Sequence, residues 1–433
     1  MRAFSILAVP QTVIWFAFSV AVCGFLGVAS HVAAQESAST DAIPPHTSPQ
    51  RSNPSSIGHQ MEEAMRAGRL EDESERLFGP LVEPGCGIHV EPVYSGEVFS
   101  NTRGGISSRN ATQYEGLLDL ALIADLEKLG VPFASDFFIL GQSTHGRGLT
   151  EDFVGDSLVL SNIDSLHNRM QVSEYWWEFH FLDDEVRLRV GKQDVNAEFL
   201  VVDLAGDFIQ SGFGISPHLA VPTYPDASAG AIVLADLTDV LQAKVGVWDG
   251  VPDGRNWGFS GTGITLTIGE LECRYQLADG RLPGAIDAGV MYLSAGEVSP
   301  GDYQPQGWGI YLDFEQILWR ENPWDEEDRQ GLGGFVQYSN AAPDEEVGFP
   351  EYLGAGLVYQ GLLPGRDDDG FGAGVATAQL NGGGTNRETV IECYYRAAIR
   401  PGMAIQPDVQ YIASPSGVHR DALVVGLRFV LKL

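Results

Sequence analysis

From about Ile88 to the C-terminus, apolar and polar residues alternate with a period of two. Successive side chains of an extended strand point to opposite faces, so the alternation predicts strands with one apolar and one polar face. No helical pattern longer than about 12 residues interrupts it convincingly. Such segments number roughly 14 to 17, which is within the range of bacterial outer-membrane barrels.

The clearest hairpin lies between Glu174 and Asp194. A two-residue turn at Asp183-Asp184 would pair the apolar residues Phe181 with Val186, Phe179 with Leu188, and Trp177 with Val190. The same register pairs the polar residues His180 with Arg187 and Glu178 with Arg189. One face is then aromatic and apolar, which suits lipid and its interface better than a close-packed core.

The C-terminal segments repeat this two-faced pattern, with a turn at Arg400-Pro401-Gly402. The last predicted strand carries apolar residues on one face from Leu423 to Leu433 and polar residues such as Arg428 on the other. We expect it to pair with the first strand, because a closed barrel leaves no unpaired edge. The expected lipid-facing positions are Tyr175, Trp177, Phe179, Leu188, Val190, Leu427 and Phe429.

Three regions follow from composition along the chain. Residues 1–34 have a positive start, a long apolar stretch and small residues before Gln35, which predicts a secretory signal peptide, with an uncleaved anchor as the alternative. Residues 35–86 begin with a Ser/Pro-rich flexible linker and continue as a short amphipathic helix with Met61, Met65, Leu70 and Leu77. Residues 87–433 form the predicted all-β, transmembrane antiparallel barrel.

The net charge is −32, and removing the leader, whose one charge is Arg2, gives −33. This acidity makes nucleic acid an unexpected partner, because phosphate binding needs clustered Lys and Arg. After the leader, no apolar run approaches the ~20 residues of a membrane helix. Three widely spaced cysteines remain, Cys86, Cys273 and Cys393, which is not the pattern of a disulfide framework.

The sequence shows no pattern for catalysis or for a cofactor. No CxxC or HxxxH spacing indicates a metal site, and no Ser lies in a GxSxG turn. The acidic segments Asp325–Asp328 and Asp367–Gly370 have oxygen ligands for calcium but lack the 12-residue loop pattern, so solvated surface is expected there. We therefore expect no enzyme activity, no catalytic residues, no metal and no cofactor.

Several motifs resemble those of the carbohydrate-selective outer-membrane porins, the OprB type. Their C-terminal ET-x-x-E-x-YYR, LQPDLQYI and LV-x-GLR strands are similar to Glu388–Arg396, Ile405–Ile412 and Asp421–Arg428. Arg189–Asp194 is similar to the RxGKxD segment, and Phe208–Gly214 to the F-x-NSSFG segment with Gln210 at a usual Asn. The family's GDWGG-like segment before the first strand is missing. The resemblance implies a 16-stranded barrel that passes sugars by diffusion.

A sugar-selective lumen needs hydrogen-bonding charges and an aromatic face. The polar faces of the predicted strands supply candidates for pore-lining residues: Trp176, Glu178, Arg187, Arg189, Lys192, Asp194, Glu392, Arg396 and Asp408. The alternative is that these charges fill and stiffen the barrel wall. Expected partners are mono- or oligosaccharides and outer-membrane lipid, with the chain a monomer or a trimer in the outer membrane of a diderm bacterium.

Two other functions fit parts of the pattern. A secreted soluble β-sandwich that binds carbohydrate would also be acidic and two-faced, but it would not need detergent to stay in solution. A barrel with a closed lumen could serve as an enzyme or adhesin, and it would need a covalent or metal site. For the porin, replacing Arg189 with Ala is expected to raise cation conductance and weaken discrimination between sugars.

Overall fold

The computed structural model describes residues 85–252, 254, 257–325, 328–341, 349–381 and 386–432. The predicted signal peptide, and all but the last two residues of the predicted linker and amphipathic segment, lie outside these residues. Within the described part of the chain, no helix is long and apolar enough to span a membrane.

The described residues form an antiparallel barrel of sixteen strands, in which each strand pairs with its neighbours and the last strand closes the ring on the first. A separate two-stranded hairpin lies in one connection. The strands are β1 Ile88–Gly105, β2 Thr112–Asp125, β3 Ser135–Gly146, β4 Arg169–Phe181, β5 Val186–Gln193, β6 Ser228–Thr238, β7 Leu241–Asp249, β8 Thr265–Leu277, β9 Leu282–Leu293, β10 Gly296–Ser299, β11 Asp302–Gln304, β12 Gly307–Arg320, β13 Gly331–Ala341, β14 Glu351–Gln360, β15 Gly370–Gln379, β16 Arg387–Arg400, β17 Met403–Ala413 and β18 Arg420–Lys432.

The register of the hairpin β4–β5 confirms the prediction. Phe181 pairs with Val186, His180 with Arg187 and Glu178 with Arg189. The connection comprises the four residues 182–185 rather than the predicted two; Leu182, Asp183 and Asp184 have positive φ, and the Glu185 amide donates to the Leu182 carbonyl. The period-two pattern determined this register, because a slip by one residue would move every apolar side chain to the polar face.

The outer face of the barrel is apolar. Trp177, Val190 and Leu427 on this face are about two-fifths exposed, at 40%, 38% and 44%. An apolar face of this extent on a closed barrel is a surface for lipid rather than water. The inner face carries the alternate residues, which include Glu97, Glu178, Glu392 and Arg428.

The two ends of the barrel differ. The turn end has tight connections such as 182–185, 239–240 and 401–402, and the loop end has the longest ones. Two of the loop-end connections fold back into the barrel: insert A, residues 147–168, and insert B, residues 194–227. Their irregular backbone contains a π-helical turn at Thr150–Val154, 3₁₀ turns at Val195–Ala197 and Asp203–Ala205, and a four-residue helix at Ser211–Gly214.

Apolar side chains of the inserts pack against the inner wall in two clusters. In the first, Leu158, Phe208 and Phe213 pack with wall residues that include Phe335 and Tyr394. The Phe208 ring lies 4.4 Å from that of Phe213 and 5.0 Å from that of Tyr394, measured between centroids. The second cluster joins residues of insert B, including Phe199 and Leu200, to Trp248 and Ile268 of the wall. These clusters fix the inserts inside the lumen.

Candidate functional site

Wall carboxylates hold the backbone of the inserts by accepting from consecutive amides. Glu388 accepts from Ser157 and Leu158 at 2.8 and 2.7 Å. Glu392 accepts from Ile209 and Gln210 at 2.7 and 3.0 Å, and Glu315 accepts from the amides of residues 203 and 204. The amides of an irregular segment have no ladder partners, so a buried carboxylate satisfies two of them with charge-assisted bonds.

Arg428 of β18 ties insert A to the wall. Its Nε donates to Glu97 of β1 at 2.7 Å, and its Nη2 donates to Asn162 of insert A at 2.7 Å. Arg428 and Glu97 are both fully buried. The ion pair therefore joins the first and last strands and at the same time positions the insert.

The inserts also bind each other. The Asn162 amide donates to the Ile209 carbonyl at 2.8 Å, and the Ser211 amide donates to the Val159 carbonyl. The Tyr224 hydroxyl of insert B donates to the Ile163 carbonyl of insert A at 2.7 Å. The two inserts consequently form one unit that narrows the lumen.

Four of the predicted pore-lining residues form one cluster on β4 and β5. Arg189 contacts Glu178 at 2.7 Å and also Glu198 of insert B at 2.8 Å. Its guanidinium carbon lies 4.1 Å from the centroid of the Trp176 ring, and Trp176 stacks on Phe138 with the centroids 4.9 Å apart. Arg187 lies 3.6 Å from Glu178. Trp176, Glu178 and Arg189 are at most 1% exposed.

Lys192 and Asp194 occupy different places from that cluster. Lys192 pairs with Tyr175 and so follows the face of β5 opposite to Arg189, and its Nζ donates to the carbonyls of Val172 and Gly254 at 2.9 and 2.7 Å. Asp194 begins insert B, where its carboxylate accepts from the amides of residues 196 and 224, both at 2.7 Å. Lys192 therefore links β5 to β4 and to the connection after β7, and Asp194 stabilises the backbone of insert B.

The remaining three predicted residues lie on β16 and β17. Glu392 and Asp408 are almost fully buried, at 0% and 2% exposed. Arg396 is more open: its side chain is 17% exposed and lies 3.6 Å from Asp207 of insert B, which is 15% exposed. The structure thus brings eight of the nine predicted residues to the inner wall or to an insert, and their pore-lining role stays a prediction.

Titratable groups of the inserts have shifted pKa values. Burial raises the pKa of Asp156 to about 7, and the carboxylate of Glu388 contributes to the rise. Burial lowers the pKa of His218 to about 4, partly opposed by its hydrogen bond to the Ser216 carbonyl. Burial also raises the pKa of Asp207, against the opposing effect of Arg396 and Arg428.

Three wall carboxylates, Glu270, Glu272 and Asp287, have oxygens within 4.8 Å of one another. The Lys244 ammonium lies between two of them, 2.9 Å from Glu270 and 2.7 Å from Glu272, and supplies positive charge there.

In the acidic segment Asp367–Gly370, the Asp369 carboxylate accepts from the Arg366 guanidinium at 2.8 Å and from the Ala398 amide at 2.9 Å.

The sequence interpretation missed the residues that fasten the inserts, above all Glu315, Glu388 and Arg428. All three lie on the polar faces of strands, where the alternation alone marks them as inward. One signal was available: residues 195–221 are rich in apolar side chains, which a connection exposed to water would not be.

A closed sixteen-stranded barrel with an apolar outer face and a polar lumen narrowed by inserted loops is an outer-membrane porin. The family model "Carbohydrate-selective porin, OprB family" matches residues 109–433, and the chain belongs to this family. Porin B of Pseudomonas aeruginosa is 22% identical over 80% of this chain and 87% of the relative. A putative porin, QuiX, of Acinetobacter baylyi is 22% identical over 76% of this chain and 86% of the relative.

Solved structures show the same fold. The high-pH structure of Pseudomonas putida OprB has a TM-score of 0.70 at 21% identity and covers 80% of this chain and 94% of that one. The low-pH structure of the same protein has a TM-score of 0.55 at 17% identity, with 90% and 100% covered. The closed barrel is not the soluble β-sandwich kept as the alternative, and the family places the chain in the outer membrane of Gram-negative bacteria.

Proposed function

We propose that the chain is a passive channel for neutral mono- or oligosaccharides, with the narrowest point between the joined inserts and the opposite wall. The observation that carries this proposal is the anchoring of inserts A and B by buried wall carboxylates. A fixed polar passage admits solutes by size and by the hydrogen bonds it offers to hydroxyl groups. The membership of the family supports sugars as the solutes.

Within this channel we assign two roles to the predicted residues. A positioning role is supported for three buried residues, Glu178, Arg189 and Glu392. Arg189 and Glu392 contact insert B directly, and Glu178 contacts Arg189. Arg396 and its partner Asp207 are partly exposed, which supports contact with the passing solute. The lipid partner follows from the apolar outer face, and a monomer and a trimer both remain compatible with it.

Liposome swelling tests the proposal. Vesicles that contain the wild-type protein should swell in neutral monosaccharides faster than in larger sugars, without an energy source. Glu392→Ala removes the acceptor of two insert amides, so the larger sugars should enter severalfold faster. Glu297→Ala, on the exposed β10, is the matched control and should behave as wild type. Swelling that is independent of sugar size in the wild type would contradict the proposal.

A further inference from the structure

An apolar patch lines the lumen near the turn end of the barrel. Its residues are buried and lie on the inner faces of β2, β3 and β4, with Val93 of β1 packed against them; they are Ala121, Ile123, Phe138, Leu140 and Trp176. The register places them together, since Ala121 pairs with Leu140, Ile123 with Phe138, and Phe138 with Trp176. We call this the lumenal patch.

The lumenal patch differs from the other two apolar clusters. Those clusters combine wall residues with residues of insert A or B, whereas the described members of the lumenal patch all belong to strands of the wall. Its side chains are nevertheless buried, with Ala121, Phe138 and Leu140 at 0% exposed and Ile123 at 1%. A barrel wall that faces water does not bury its side chains so completely, and apolar groups there would cost free energy.

The chain that precedes β1 reaches this place directly. Gly87 accepts a hydrogen bond from the Asp125 amide at 2.8 Å, at the turn end of β2. His89, two residues later, pairs with Ile123 of the patch. The described chain therefore begins beside the patch, whereas the inserts enter from the other end. The segment 57–78, with Met61, Met65, Leu70 and Leu77 among charged residues, has apolar side chains to cover it.

We propose that the segment 57–78 of this same chain docks on the lumenal patch. The lumenal patch is thus covered by a part of the same chain rather than by a partner protein. The docked segment lines the turn-end half of the lumen on the side of β1 to β4. The assignment rests on the described wall and on the length of chain before it, and it does not depend on which solute the channel passes.

Thiol labelling tests the docking in the full chain. Cys23, Cys86, Cys273 and Cys393 are replaced by Ser, and Ala121→Cys places a small thiol in the patch. The barrel is refolded and treated with a small water-soluble maleimide, with the segment intact or carrying Met61→Ser and Met65→Ser. We expect the labelling rate of Ala121→Cys to rise at least tenfold when the two methionines are replaced.

Two controls make the result specific. Gln242→Cys, on the inner face of β7 away from the patch, should react at the same rate in both backgrounds. Glu62→Gln with Glu63→Gln changes polar residues of the same segment and should leave Ala121→Cys protected. Heat-modifiable gel mobility verifies the fold of each variant. An equal labelling rate of Ala121→Cys with and without the methionine substitutions, whether fast or slow, would overturn the proposal.

Discussion

At the scale of single residues, the lumen is organised by buried carboxylates that accept from backbone amides. Glu388 holds two consecutive amides of insert A, and Glu392 holds two of insert B. A carboxylate with several N–H donors loses less by burial than one without them. The same acidic residues that lower the net charge of the chain therefore supply the acceptors that the irregular inserts require.

Among the predicted pore-lining residues, Arg189 should have the largest effect on the channel when it is replaced by alanine. It faces Glu178 on the wall and Glu198 on insert B, so Arg189→Ala removes the positive charge between two buried carboxylates. Breaking such a pair costs about 3–5 kcal/mol. We expect insert B to loosen, with higher cation conductance and weaker block by sugars in single-channel recordings. Arg109→Ala, in an exposed loop, is the control, and equal conductance of the Arg189→Ala variant and the wild type would contradict the positioning role.

Asp156 should make stability fall as pH rises. Its pKa of about 7 in the folded protein lies above the ordinary 3.8, so the folded state retains a proton that the unfolded state has lost. The stability of the wild type then decreases between about pH 4 and pH 7. Asp156→Asn should remove this loss and be more stable than the wild type at pH 8 by on the order of a few kcal/mol, with a smaller gain at pH 5.

Urea unfolding of the refolded barrel at the two pH values measures this difference. Asp239→Asn, in the exposed turn between β6 and β7, carries the same substitution without burial and serves as the control. A stability difference between Asp156→Asn and the wild type that does not change with pH would show that Asp156 does not titrate in this range.

At the scale of the strands, the alternation decides which substitutions the membrane tolerates. Leu188 lies on the outer face of β5 and pairs with Val233 in the middle of β6. An arginine near the bilayer midplane costs roughly 2–4 kcal/mol and much less near the interface. Leu188→Arg should therefore lower the free energy of unfolding in bilayers by that amount, and Leu237→Arg, near the turn end of β6, should lower it by less.

Folding into phospholipid vesicles, followed by urea titration, compares the two arginine variants. The wild type already has an arginine next to position 188: Arg187 lies on the inner face of the same strand. The cost of Leu188→Arg therefore comes from placing the charge on the lipid-facing side. An equal cost at positions 188 and 237 would mean that Leu188 is not close to the midplane.

At the scale of the whole molecule, the acidic composition predicts cation selectivity. The net charge is −32, and Asp207 of insert B carries a partly exposed carboxylate, whereas the buried wall carboxylates Glu97 and Glu178 are paired with arginines. A lumen with an excess of negative charge between low-dielectric walls attracts cations, an effect that salt screens. The reversal potential in a KCl gradient should have the sign of a cation-selective channel, and an anionic sugar acid should pass severalfold more slowly than a neutral sugar of equal size.

Asp207 offers a direct check of this selectivity, because its carboxylate is partly exposed beside Arg396. Asp207→Asn should shift the reversal potential toward zero, whereas Asp279→Asn in the exposed turn between β8 and β9 should not. A reversal potential of the opposite sign in the wild type would contradict the electrostatic argument.

Much of the fold was predictable because it depends on local alternation. The period of two in β4 and β5 determined which residues face lipid and which oppose one another, and the pairs Glu178–Arg189 and Phe179–Leu188 are those of the structure. The site was only partly predictable. Lys192 has a polar side chain in a motif shared with the family, yet the parity of β5 places it on the face opposite to Arg189.

The sequence by itself therefore determined the strands, their inward and outward faces and the closure of β18 on β1, because each follows from a repeat of two residues and from the need to pair every edge. Only the tertiary structure decided where inserts A and B lie and which wall residues hold them. Those contacts join residues far apart in the chain, such as Glu388 with Ser157 and Arg428 with Asn162. No local pattern encodes them, because irregular backbone has no fixed period and takes its partners from whichever wall groups the closed barrel brings near.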